Sequence, residues 1–424
     1  MKIEIAHGRI VDPRNGVDRV ASLFIAAGRV AAIGAPPDGW HANRVVDARG
    51  LVVAPGLVDV AARLREPGLE YRATLESEMD AACAGGVTSL ACPPDTDPPL
   101  DEPGLVEMLK HRARSLNQAH VHPVGALTVG LQGATLTEMG ELTEAGCVAF
   151  SHADVPLVDT ELLRRAMQYA STFGYPLWLR PVDPHIGRLG VAHDGEVATR
   201  LGLAGIPAAA ETIALATILA LVRDTGVRVH LCRLSCAESV AMVRAAKQEG
   251  LPVTCDVAVH HLHLCDVDIG WFDSDAHLVP PLRSTRDRAA LRAGVADGTI
   301  DVVCSDHAPV DEDAKQVPFA EAEPGATGLE LLLPLTLKWA QEDGVPLPAA
   351  LARITSEPAK LIGSGAGDLA VGRAADVCVF DPQAYWKVER ASLRSQGKNT
   401  PFLGLEVPGK VRYTLVAGQF VHEP

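Results

Sequence analysis

The chain has 424 residues, 47% of them hydrophobic and 21% charged, and a formal net charge of −15. That length exceeds one small domain and accommodates a barrel of about 250 residues plus a satellite unit. The acidic balance excludes generalised binding to nucleic acid or to an anionic membrane, while leaving room for a local basic site. The opening Met1-Lys2-Ile3-Glu4-Ile5-Ala6-His7 lacks a basic segment followed by an apolar one, and no run long enough to span a bilayer occurs. A soluble cytoplasmic protein is therefore expected. Nine cysteines, scattered without a CxxC pair, read as small buried hydrophobes of a reducing compartment.

In chain order, residues 1–50 alternate apolar and polar in short runs such as Lys2-Ile3-Glu4-Ile5 and Leu23-Phe24-Ile25, broken by Asp12-Pro13-Arg14-Asn15-Gly16. They predict strands of a small antiparallel sheet. From 51 to 364, apolar runs alternate with helical patterns, with strands expected at 51–60, 87–92, 121–127, 147–151, 176–180, 229–235, 253–257 and 301–305. Eight such units make an α/β fold of the (β/α)8 barrel type. Ser235-Cys236-Ala237-Glu238 reads as a capping box, and the apolar run Thr212–Leu221 as a helix buried against the barrel. Residues 365–424 return to short β runs, so the two ends are expected to form one discontinuous β-sandwich domain.

Functional side chains of such barrels lie at the C-terminal ends of the strands. There the chain reads Pro55-Gly56-Leu57-Val58-Asp59-Val60-Ala61-Ala62-Arg63-Leu64-Arg65-Glu66-Pro67-Gly68, Pro93-Pro94-Asp95-Thr96-Asp97-Pro98, Ser151-His152-Ala153-Asp154, and Ser305-Asp306-His307-Ala308-Pro309-Val310. Nearer the end come Asp368-Leu369-Ala370-Val371-Gly372 and Gly397-Lys398-Asn399-Thr400-Pro401-Phe402-Leu403-Gly404. Together these stretches resemble the cyclic amidohydrolases, and the dihydroorotases in particular, over nearly the whole chain.

The resemblance implies a binuclear zinc centre whose ligand positions fall here on Ala61, Arg63, His152, Arg180, Arg233 and Asp306. Only Asp306 matches; the others replace histidines or, at His152, an aspartate. Of the substrate-binding positions, Arg65 is retained, while Asp95 and Val279 replace asparagines and Val310 a histidine. Alanine offers no donor atom and guanidinium no free lone pair. Histidine at 152 could ligate one ion but not bridge two. Without metal, the attacking hydroxide must come from water with a pKa of about 15.7 rather than about 7. Zinc, the cofactor of active relatives, is thus expected to be absent and the dihydroorotase reaction by this mechanism unavailable.

A binuclear zinc site carries about four positive charges, and Arg63, Arg180 and Arg233 would return three of them to the same cavity. At least one is expected to pair with Asp306, since a buried carboxylate without a partner is costly. The alternative is arginines adrift in a solvated cleft. His230 is expected on the strand face opposite Arg233, and the His260-His261 pair in a structural role. The resemblance implies a non-catalytic dihydroorotase-like protein that assembles with aspartate carbamoyltransferase. Two other readings stand beside it: a mononuclear hydrolase built on His152, Asp306 and His307 or His185, and a regulatory module binding an anion through Arg63, Arg65, Arg180 and Arg233.

Overall fold

The computed structural model describes residues 1–424. β1 (Lys2–Asp12), β2 (Val17–Ala26), β3 (Arg29–Ile33), β4 (Arg44–Asp47) and β5 (Val52–Pro55) open the chain. The barrel staves follow as β6 (Leu57–Asp59), β7 (Val87–Cys92), β8 (His120–Pro123), β9 (Gly125–Ala126), β10 (Phe150–Ser151) and β11 (Leu177–Leu179). β12 (Ala192–His193) and β13 (Gly205–Ile206) form a separate parallel pair in the excursion after β11. β14 (Val229–Leu231), β15 (Val253–Ala258) and β16 (Val302–Cys304) complete the barrel, and β17 (Val377–Lys387), β18 (Glu406–Val416) and β19 (Gln419–His422) return to the first sheet. No helix is long and apolar enough to cross a membrane.

The strands from the two ends make one continuous sheet of eight, in which β17 joins β5 antiparallel and β5 joins β1. The expected sandwich thus has no break in its hydrogen bonding. β1 changes partner along its length: a bulge between Ile5 and Gly8, with His7 at φ 62°, separates the part paired to β4 from the part paired to β5. Ile3, Ile5, Ile10, Leu23, Val377 and Leu415 fill its core.

All eight barrel staves are parallel, with β8 and β9 sharing the third position. The expected single strand at 121–127 divides around Val124: β8 pairs with β7, and β9 with β10. The ring closes at its C-terminal end, where the Arg63 N–H donates to the His307 carbonyl at 2.9 Å and the His307 N–H to the Ala61 carbonyl at 3.0 Å. Because successive side chains alternate faces, Leu57, Val87, Leu177, Val229 and Leu231 pack outward against the helices. Val58, Ala91, Val124, Ala149, Trp178, Ala258 and Val302 fill the barrel.

Three local expectations are corrected. The apolar run 51–60 is two strands, because it turns at Gly56, where a Cβ would lie 2.0 Å from the Thr88 hydroxyl. Its first half therefore belongs to the satellite sheet, which extends past residue 50. The chain between β17 and β18 leaves that sheet and lies against the barrel: Asn399 donates to the carbonyls of Ala308 and Gly325, each at 3.0 Å, and accepts from the Val310 N–H at 3.0 Å. Finally, Ser235 caps no helix. Its hydroxyl and N–H bind the buried Glu211, and Cys236 opens the helix Ala237–Gln248 without a side-chain cap. A tertiary acceptor on the helix Ala209–Thr225 outcompetes the local box.

Candidate functional site

Six charged side chains from six different stave ends meet at the barrel mouth. Arg63 follows β6, Asp95 β7, Asp154 β10, Arg180 β11, Arg233 β14 and Asp306 β16. Two of these ends leave the extended conformation, with Arg233 at φ 54° and Asp306 at φ 45°. Left-handed backbone in non-glycine residues is uncommon and persists where the surroundings fix it; here the Arg233 N–H donates to Asp256 Oδ1 at 2.7 Å.

The guanidinium of Arg63 addresses all three carboxylates: Nε to Asp95 Oδ2 at 2.7 Å, Nη2 to Asp154 Oδ2 at 2.6 Å and Nη1 to Asp306 Oδ1 at 3.2 Å. Arg233 Nη1 meets Asp306 Oδ1 at 3.0 Å, and its Nη2 is held by Asp154. Arg180 serves Asp154 alone, through Nε to Oδ1 at 2.7 Å. Three guanidinium groups thus face three carboxylates. The arginine side chains are 6–10% exposed and Asp306 9%, whereas Asp154 keeps 34% of its side chain exposed.

Burial opposes ionisation of Asp154, but Arg233, Arg63 and Arg180 outweigh it and hold the carboxyl well below the usual carboxylate range. Burial likewise works against the charge on Arg63, and Asp95 and Asp154 overcome it, raising its pKa. Burial pushes Arg180 down despite Asp154. What remains of open space beneath the cluster, between Ala61, Trp178, Cys232 and Arg233, is a cavity of about 30 Å³, room for about one water molecule.

Asp154 is the member that the sequence reading missed, and His152 is not at the centre. His152 Nε2 pairs with the Thr128 hydroxyl at 2.9 Å and Nδ1 with the Val155 carbonyl at 2.7 Å. Ala153, at φ 49°, redirects the chain so that the acid two residues beyond the expected position enters the mouth. His230 is also misplaced by the alternation argument. Its ring lies tilted against Trp178 in the barrel interior, with centroids 5.5 Å apart, and the left-handed Arg233 brings the guanidinium back over the same space.

Among the substrate-binding positions, Asp95 is drawn into the cluster, and Val279 lends only its carbonyl, 3.4 Å from Arg233 Nη1. Val310 is buried and held through its N–H by Asn399. Arg65, at φ 61° and 8% exposed, donates from Nε to the Pro309 carbonyl at 2.9 Å and has no carboxylate partner. Burial, helped by neighbouring Arg63, lowers its pKa to about 10.

These residues do not fit a zinc centre. Asp306 is engaged by two arginines, and His307 Nε2 is 2.6 Å from the buried Glu78 Oε2 while Nδ1 accepts from the Gly328 N–H at 3.1 Å. His152 and the exposed His185 line a side cleft of about 220 Å³ that Asp306 does not reach. One other group has metal-ligand composition: His230, Cys232 and Asp256, with donor atoms within 4.8 Å of one another. There both imidazole nitrogens are already bound, by Thr254 and Asp256 at 2.8 Å each. Burial drives the Cys232 thiol far from its thiolate, and the positive Arg63 and Arg233 line the same cavity. His260 and His261 are buried, His261 Nε2 bonding the Pro281 carbonyl at 3.2 Å, and they gather no ligand set.

The dihydro-orotase-like family profile matches residues 50–239 and the amidohydrolase family profile residues 180–421. A dihydroorotase-like protein of Pseudomonas aeruginosa PAO1 is 46% identical over 423 residues, and one from Pseudomonas putida 45% over 424, each alignment covering 100% of both chains. A dihydroorotase of Geobacter sp. strain M21 is 42% identical over 426 residues, again across 100% of both. Among solved structures, the L-hydantoinase (dihydropyrimidinase) of Arthrobacter aurescens shares the fold with a TM-score of 0.90 at 26% identity, covering 99% of this chain and 96% of that one. The chain therefore belongs to the dihydroorotase-like family of the amidohydrolases.

Proposed function

We propose that this chain is a non-catalytic dihydroorotase-like protein whose barrel serves as an assembly subunit for aspartate carbamoyltransferase. The observation that carries the reading is the Arg63–Asp154–Arg233–Asp306 network, which occupies the mouth where relatives of this fold would need donor atoms and open space. A guanidinium cannot lower the pKa of a water molecule as a bound zinc ion does. A full-length fold kept around such a site fits a role in which surfaces rather than turnover matter. The partner is the one that the family resemblance implies.

The test is to mix the purified full-length chain with the aspartate carbamoyltransferase catalytic chain of the same organism and measure mass by light scattering during gel filtration, assaying dihydroorotase activity on the same fractions. A defined hetero-oligomer without dihydroorotase activity is the expected result. Separate elution, or turnover by the isolated chain in the presence of zinc, would overturn it.

Arg65 favours a second reading, in which the mouth senses an anionic pyrimidine precursor. It is a buried cation that forms no ion pair and donates to a backbone carbonyl. Carbamoyl aspartate or dihydroorotate should then raise the melting temperature of the chain but not that of Arg65→Ala.

A further inference from the structure

On the face of the barrel opposite the arginine cluster, a cleft of about 520 Å³ opens where the start of β8 meets the turn between β18 and β19. Its volume is that of a small-ligand pocket, and its place between two structural units is a common one for such sites. In a chain with a net charge of −15, no carboxylate lines it. Lys110 and Arg114, from the helix Pro103–Ser115, supply cations, with His120 beside them.

Neither cation is neutralised. Arg114 is exposed and forms no ion pair, and Lys110 Nζ donates only to the Ala145 carbonyl at 2.8 Å. Lys110 reaches that position because Gly146 has φ 111° and no side chain; a Cβ there would lie 1.8 Å from Nζ. His120 shares Asp376 at 3.3 Å, behind the lining.

Two buried polar atoms of the cleft are unpartnered, Nε2 of His122 and Oε1 of Gln118. Burial, reinforced by the positive His120 and Lys110, pushes His122 down to about 4, so a neutral imidazole stands in a positive field with nothing to bind. Buried polar groups in native structures nearly always have partners, so these two mark where a ligand or ordered water belongs. An anion would satisfy the field and accept from an imidazole N–H, while a hydroxyl donor would satisfy the amide oxygen.

We propose that this cleft binds a small phosphate monoester, with the phosphate between Lys110, Arg114 and His122 and an ester-side hydroxyl donating to Gln118. The site is independent of the barrel mouth and of the proposed function.

Isothermal titration of the full-length chain with inorganic phosphate and, separately, with ribose 5-phosphate tests it. Saturable binding at one site per chain is expected, tighter for the sugar phosphate. Arg114→Ala, an exposed residue without a structural contact to lose, should weaken both by about tenfold, the worth of one charge-assisted hydrogen bond. Arg200→Ala, an exposed arginine on the helix Glu196–Leu201 and outside the cleft lining, should leave both unchanged. Failure of both ligands to bind, full affinity in Arg114→Ala, or loss of binding in Arg200→Ala would overturn the assignment. Equal affinity for the two ligands would overturn the ester part of it.

Discussion

Asp306 shows how one side chain changes meaning with its surroundings. It holds the position of a metal ligand in the resembling family, but here its Oδ1 lies 3.2 Å from Arg63 and 3.0 Å from Arg233. A buried ion pair adds little over an apolar replacement of the whole pair, yet removing one partner leaves uncompensated charge and costs about 3–5 kcal/mol. Asp306→Ala should accordingly lower unfolding free energy by about 3 kcal/mol in urea titrations, with Arg63→Ala added to it recovering part of the loss, as coupled neighbours do. An unchanged urea midpoint in the single variant would show that the arginines are indifferent to Asp306. At this scale the sequence was legible for identity and less so for direction. The replacement of ligand positions by arginine could be read residue by residue. The place of Asp154 could not, because it depends on the left-handed turn at Ala153, and nothing in an Ala-Asp pair announces a positive φ.

Elements show the same division between pattern and context. Apolar runs marked each stave, since a strand buried on both faces needs little else, but they could not say which sheet a strand joins. Val52–Pro55 and Leu57–Asp59 are equally buried and part company only at Gly56, where the approach of Thr88 leaves no room for a side chain. The segment between β17 and β18 is tied to the barrel by a buried chain of polar groups. Glu78, on the helix Leu75–Ala84, accepts from Ser395 Oγ and pairs with His307 at 2.6 Å each. Beside it, Glu330 accepts from the N–H groups of Arg394 and Ser395 at 2.8 and 3.2 Å. Burial, with Glu78 nearby, raises Glu330 from its ordinary 4.5 to about 7. Between those values the folded chain holds more protons than the unfolded one, so this group's contribution to stability falls as pH rises through the window. Glu330→Gln should therefore flatten the pH dependence of the melting temperature from 4.5 to about 7. A slope identical to that of the parent would mean that Glu330 ionises normally.

For the molecule as a whole, the two ends of the chain close one sheet and the middle closes one barrel, and the family relationship covers both. The barrel keeps the architecture that presents stave-end side chains to a common mouth, and there three arginines and three carboxylates are joined by six ion pairs. Zinc uptake separates a cluster that fills the place of a metal centre from one that leaves room for it. The full-length chain, incubated with excess zinc, freed of unbound ion by gel filtration and measured by plasma mass spectrometry, is predicted to carry only substoichiometric zinc and to melt at the same temperature with and without chelator. Stoichiometric zinc that survives gel filtration, together with a melting temperature lowered by chelator, would show that the chain retains a metal centre despite the arginines.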